Sequence, residues 1–155
     1  MTNDIKSTVV NEETLLYRNA LLGLFAGGMF SFKALEAFLE PLQEIHLWLY
    51  IVLAIVYITT TVMAVIMLIK TVLSANKLSK NLFRFGQFED EYFIHIDKKG
   101  YQHSFNVLLI YVGIFSIFGE HFESIVLKNF CEFGLALTFL TYAFTVMFLL
   151  KAKDE

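Results

Sequence analysis

The sequence predicts an all-α integral membrane protein built as a four-helix bundle, and three observations predict it. The 155 residues hold four stretches without a charged side chain: 23 residues from Leu47 to Ile69, 18 from Phe133 to Leu150, 16 from Ser104 to Gly119 and 14 from Asn19 to Phe32. The longest passes the ~20 apolar residues that a helix needs to cross a hydrocarbon core of about 30 Å. The two shortest reach that length if Arg18 and Lys33 snorkel to opposite interfaces, and if the third helix takes in Tyr101 and Phe122 as interfacial anchors. Next, 57% of the residues are hydrophobic, more than the roughly 45–50% of a soluble domain, so lipid must cover the excess. Finally, ten of the twelve Lys and Arg precede the first span (Lys6, Arg18), lie between the second and third (Lys70, Lys77, Lys80, Arg84, Lys98, Lys99), or touch the end of the last (Lys151, Lys153). Only Lys33 and Lys128 flank the other side, so the positive-inside rule puts both termini and the central loop in the cytoplasm.

Helix one is expected to start near Glu12, because Asn11 suits an N-cap and Glu12 and Glu13 bring acidic charge to the first turn. It is expected to stop by Pro41, which suits the first turn of helix two. No cleavable leader is expected, since the first fifteen residues are polar and no small-residue cleavage site follows a basic start. Helix two meets no breaker between Pro41 and Gly86, and Leu78, Leu82 and Phe85 keep a helical spacing beyond the membrane. It should therefore extend into the cytoplasm and end near Gly86. The following YFIHIDKKGYQHSF has aromatic and β-branched residues on both sides of Asp97-Lys98-Lys99-Gly100, a pattern that suits a short β-hairpin. The chain then forms one domain, 1–155, with spans at about 15–35, 46–70, 103–121 and 131–150 and a cytoplasmic loop over 71–102. No stretch outside the spans is long enough for a separate soluble domain, given that about 40 residues is the usual minimum.

Small residues mark the faces that pack. Helix one carries Gly23 and Gly27, with Ala20 and Ser31 on the same side, a spacing that lets two backbones approach in lipid, within the protomer or between protomers. Helix four carries Cys131, Gly134, Thr138, Thr141 and Thr145 in a heptad seam. Helix two carries Tyr50, Ala54, Tyr57, Thr61, Ala64 and Thr71, interrupted by Leu68. Hydroxyls in hydrocarbon need partners, so both seams should face protein; the sharper alternative lines a hydrated pore with them.

No catalytic residue, cofactor motif or metal-ligand spacing is present, and the expectation is a protein that is not an enzyme and needs no cofactor or metal. Every acid, base and His is expected at or beyond a helix end, which disfavours a proton-coupled exporter of similar size. The single Cys131 excludes paired-thiol redox chemistry. Glu44, His46, Glu120, His121 and Glu123 meet at the outer interface and are read as solvated, with a cation or proton site as the alternative.

The central loop is the richest contact surface. Lys77, Lys80 and Arg84 suit orientation and contact with anionic lipid. Phe85, Phe88, Tyr92 and Phe93 suit docking of a cytoplasmic protein, since aromatic anchors bury large areas at interfaces. Direct nucleic-acid binding is not expected.

At the level of architecture the chain resembles the membrane subunit of Kiwa-type bacterial anti-phage systems. The likeness lies in the polar start NDIKSTVVNEET, the four spans, and the loop KLSKNLFRFGQFEDEYFIHIDKKGYQHSF. It implies a homo-oligomer in the bacterial inner membrane that is perturbed by phage attack and coupled to a cytoplasmic nucleic-acid-binding subunit. The expected role is thus a membrane sensor or scaffold in antiviral defence. A small oligomeric channel or holin-like pore is the alternative.

Overall fold

The computed structural model describes residues 2–45, 47–75, 88, 90–118 and 127–152, with side chains for all of these except 2–11, 36–45, 49, 74 and 75. Four α-helices account for nearly all of them: α1 (Thr2–Ile45), α2 (Leu47–Ala75), α3 (Glu91–Phe118) and α4 (Leu127–Lys151). Each contains a segment long and apolar enough to cross a membrane: Glu12–Leu35, Tyr50–Leu73, Glu91–Phe118 and Leu127–Lys151. This is the pattern of a multi-pass membrane protein. In lipid every backbone N–H and C=O must bond within its own segment, and helices meet that demand even where, as in α2, Val, Ile and Thr dominate the sequence.

The helices stand side by side in the order α2, α1, α4, α3, with a small contact from α3 back to α1. Among the described residues α2 touches α1 alone. The bundle is therefore an open row, closed into a three-helix cluster only where α3 begins. Neighbours in the row are antiparallel: Gly28 of α1 lies by Thr60 of α2, Gly27 by Leu140 of α4, and Gly100 of α3 by Val146 of α4. The start of α1, the end of α4 and the start of α3 consequently share one end.

Three expectations about element boundaries are corrected. α1 starts at Thr2, ten residues before Glu12, and continues through Pro41 to Ile45. Proline's fixed φ is compatible with a helix, and within it the ring forfeits the bond to the carbonyl four residues back, a cost that α1 bears near its end. The β-hairpin is absent, and Tyr92 to Phe105 belong to the continuous helix α3. Its buried residues Phe93, Ile96, Asp97, Gly100 and Ser104 follow steps of three and four, which is a helical face and not the alternation of a strand. The expected end of helix two near Gly86 and the cation group Lys77, Lys80 and Arg84 lie outside the described residues.

Asp90 explains where α3 starts. Its Oδ1 accepts a hydrogen bond from the Tyr92 N–H at 2.8 Å, and its carbonyl accepts the Ile94 N–H at 3.1 Å. That is N-cap geometry, and Glu91 adds an acidic residue to the first turn, where the helix dipole favours it.

Candidate functional site at the buried Asp97 and Tyr142

At the shared end of the row, α1, α3 and α4 enclose a core of Leu16, Ala20, Phe88, Phe93, Ile96, Tyr142, Val146 and Leu150. Two carboxyl side chains are buried at this end as well: Glu12 is 1% exposed and Asp97 4%. A buried carboxyl group needs hydrogen-bond partners to offset its desolvation, and both have one. Tyr142 donates its phenolic O–H to Oδ1 of Asp97 at 2.5 Å. The Asp90 N–H donates to Oε2 of Glu12 at 3.1 Å. Glu12 thus supplies an acceptor from α1 to the N-terminal turn of α3, 78 residues away in the chain, where unpaired backbone donors and the positive end of the dipole meet.

Tyr142 occupies the centre because two glycines admit its ring. A Cβ on Gly100 would stand 2.9 Å from Cδ2 of Tyr142 and from Cγ2 of Val146, and a Cβ on Gly23 would stand 3.4 Å from Cδ1 of Tyr142. The ring of Tyr101 lies 5.0 Å from that of Tyr142, tilted by 38°. At the far end of the same helix pair the arrangement is reversed. Gly134 of α4 faces the ring of Tyr111 on α3, with 3.2 Å from its would-be Cβ to Cε1, and Tyr111 donates to the Phe130 carbonyl at 2.9 Å. Each helix of the pair gives one tyrosine and one glycine. In lipid, where apolar burial by itself gains little, such close packing and interhelical bonds are what hold helices together.

Of the residues expected to pack, Gly23 and Gly27 both face α4 of the same chain. A Cβ on Gly27 would stand 2.7 Å from Cγ of Leu140 and 3.1 Å from its backbone nitrogen, and Phe30 stacks on Phe139 at 5.9 Å. The α4 seam looks toward α3: Gly134 meets Tyr111, and Thr145 Oγ1 lies 3.3 Å from Nδ1 of His103. Thr138 and Thr141 are partly buried, and Cys131 is exposed. On α2, Ala64 and Thr71 are the buried residues while Leu68 is 49% exposed. Lys33 of α1 reaches over the Tyr57 ring at 5.9 Å, a cation–π contact that also lets its stem snorkel. Hydroxyls on all four helices bond to their own backbone. Ser31 donates to the Gly27 carbonyl, Thr61 to that of Tyr57, Ser104 to that of Gly100 and Thr138 to that of Gly134, all at 2.7–2.9 Å. Such back-bonding satisfies a hydroxyl without water or a facing helix.

The aromatic docking group divides. Phe93 is fully buried and Phe88 is 8% exposed, so both belong to the core and neither is offered to a partner. Tyr92 is 38% exposed and is fixed by its O–H, which donates to the Leu149 carbonyl at 3.2 Å. Phe85 lies outside the described residues, as do the side chains of Glu44, His46, Glu120, His121 and Glu123. Among the described residues no group of three His, Cys, Asp or Glu could hold a metal ion.

Asp97 and Glu12 are the residues that sequence reasoning missed. The sequence pattern puts Asp97 in a turn and Glu12 in the first turn of helix one, yet one signal is present: Asp90-Glu91 followed by apolar residues at helical spacing reads as a capped helix start. Asp97 then falls on the apolar face. The chain matches no family model, no curated protein and no solved structure.

Proposed function

We propose that this chain is a non-enzymatic subunit of the bacterial inner membrane that forms homo-oligomers, senses the state of the membrane and signals to a cytoplasmic partner through the segment between α2 and α3. The observation that carries the reading is how the residues at the start of α3 are held. Phe88 is in the core, the Asp90 N–H is held by Glu12 of α1, and Tyr92 is held by Leu149 of α4. A partner engaging the adjoining residues 76–87 would be linked through these bonds to three of the four helices. The ten-to-two distribution of Lys and Arg favours the cytoplasm for this end. A role in anti-phage defence has as its support the architectural likeness described above.

The channel alternative has less support. Within the protomer the seams of α2 and α4 are turned to different neighbours, α1 and α3, and the hydroxyls of Thr61 and Thr138 are satisfied by their own helices. The test is purification from native membranes after mild crosslinking, followed by reconstitution of the protein alone in liposomes. The reading expects a stoichiometric cytoplasmic protein in the first experiment and no dye leakage in the second. Leakage without a co-purifying protein would replace it with the pore.

A further inference from the structure

A groove of about 810 Å³ runs along the seam of α1 and α4 at the end that holds the Asp97 cluster. Its polar residues gather at one extremity: Glu13 and Thr14 from α1 and Lys151 from the last turn of α4. Away from the mouth the lining is apolar, with Leu24 from α1 and Phe144 and Phe148 from α4, the last two 59% and 72% exposed. From Thr14 to Leu24 the helical rise is about 15 Å, half of a ~30 Å hydrocarbon core and so the depth of one leaflet. A charged mouth leading to an apolar floor one leaflet deep is complementary to a single-ended amphiphile lying along the membrane normal.

We infer that the groove binds a glycerophospholipid whose headgroup carries both a phosphate and a primary ammonium, that is, phosphatidylethanolamine. The choice follows from the signs at the mouth. Lys151 is an exposed cation and suits the phosphate; Glu13 suits an ammonium and opposes a headgroup with only negative charge. A choline headgroup brings the positive charge without an N–H to donate. The acyl chain lies over Leu24 and Phe144, with Tyr17 at the side. The rear wall gives the site its consequence. Leu150 lines the groove and belongs to the core with Phe93 and Tyr142, and Met147 lines the groove and packs against that core. Occupancy therefore bears on the packing that anchors the α2–α3 segment. That consequence rests on the sensor reading proposed above; the lipid site does not.

The test uses the full chain in nanodiscs made from equal parts of phosphatidylethanolamine, phosphatidylglycerol and phosphatidylcholine, followed by mild detergent extraction and mass spectrometry of the retained lipid. Phosphatidylethanolamine is expected about threefold above its share, the ratio that one partly exposed charge pair supports. Glu13→Gln, which removes the carboxylate that distinguishes the ammonium, should bring retention back to the bulk proportion. Leu24→Trp should do the same by filling the floor, with the unfolding temperature recorded for each variant. Retention of the three lipids in bulk proportion by the wild type, or enrichment of phosphatidylglycerol, would overturn the inference. So would full enrichment in a folded Leu24→Trp protein. No cytoplasmic partner is needed for any of these measurements, so failure of the sensor reading and failure of the lipid site remain distinguishable.

Discussion

Tyr142 of α4 donates its phenolic proton to the buried Asp97 of α3 at 2.5 Å, and the same tyrosine ring lies against glycines of both neighbouring helices, Gly23 and Gly100. One side chain thus joins the polar and the steric interlock of three helices. The hydrogen bond matters more than its length suggests. Asp97 is 4% exposed, and a buried carboxyl group that loses its donor bears a desolvation cost that water no longer relieves.

Removing the donor should therefore cost more than removing both partners. Tyr142→Phe is expected to destabilise the protein by about 1–3 kcal/mol, the cost of an unsatisfied buried acceptor. Tyr142→Phe combined with Asp97→Leu should recover part of that loss, with a coupling of at least about 1 kcal/mol. Urea or thermal unfolding in detergent, read as a double-mutant cycle, measures it. Additive losses would mean that the bond contributes nothing beyond packing.

The glycine positions separate close approach from mere helix composition. Gly100→Ala adds a Cβ at 2.9 Å from Tyr142 and Val146 and should destabilise by about 1–3 kcal/mol through overpacking. Gly113 lies in the same helix with nothing within 4 Å of an added Cβ, so Gly113→Ala should be neutral or gain up to about 1 kcal/mol from helix propensity. Equal effects at both sites would show that α3 does not dock through Gly100.

The same comparison on α1 tests where its small face points. Gly27→Ile must displace Leu140, including contact at its backbone nitrogen, whereas a Cβ at Gly28 meets only Thr60 at 3.7 Å. Gly27→Ile should lower the unfolding temperature at every protein concentration, and Gly28→Ala should not. A loss confined to low concentration would mean that Gly27 serves contacts between protomers.

Topology is tested independently of stability. Reporters fused after Glu155 and inserted at Gln87, before the core residue Phe88, should read cytoplasmic, and one near Gln43 should read external, because the Lys and Arg bias favours that orientation. The shared end of the bundle already requires the first two to agree. An external reading for both would invert the orientation, and disagreement between them would contradict the four crossings.

The four apolar helices were legible because lipid imposes one rule on each segment separately, and the runs around Leu47–Ile69 and Phe133–Leu150 meet it without reference to the rest of the chain. What was not legible depended on neighbours. Gly100 after Lys98-Lys99 has the local chemistry of a turn; only the ring of Tyr142 explains why a helix needs a glycine there. Asp97 reads as solvated until Phe93 and Ile96 are seen to share its face. The seams of α2 and α4 mark faces turned toward protein, yet a seam does not name its partner, and the open order α2, α1, α4, α3 could not be read from them. Phe88 and Phe93 show the same ambiguity, since an aromatic residue suited to an interface is equally suited to a core.

That ambiguity sharpens the docking experiment. If the segment between α2 and α3 holds a cytoplasmic partner, its anchors must come from residues that the core does not use. Tyr92 is 38% exposed, and Phe85, outside the described residues, remains a proposed anchor. Phe85→Ser with Tyr92→Ser should abolish co-purification of the partner, with the unfolding temperature recorded to show that the protein is folded. Tyr92→Phe keeps the ring and removes the bond to Leu149, so it should retain the partner. Phe88→Ser and Phe93→Ser should behave differently: each opens the core around Leu16, Tyr142 and Leu150, with a loss of about 3–5 kcal/mol for a buried phenylalanine. They should lower protein yield before any question of binding arises. Wild-type recovery of the partner by a folded Phe85→Ser, Tyr92→Ser protein would remove the docking role from this segment and leave its cations as determinants of orientation.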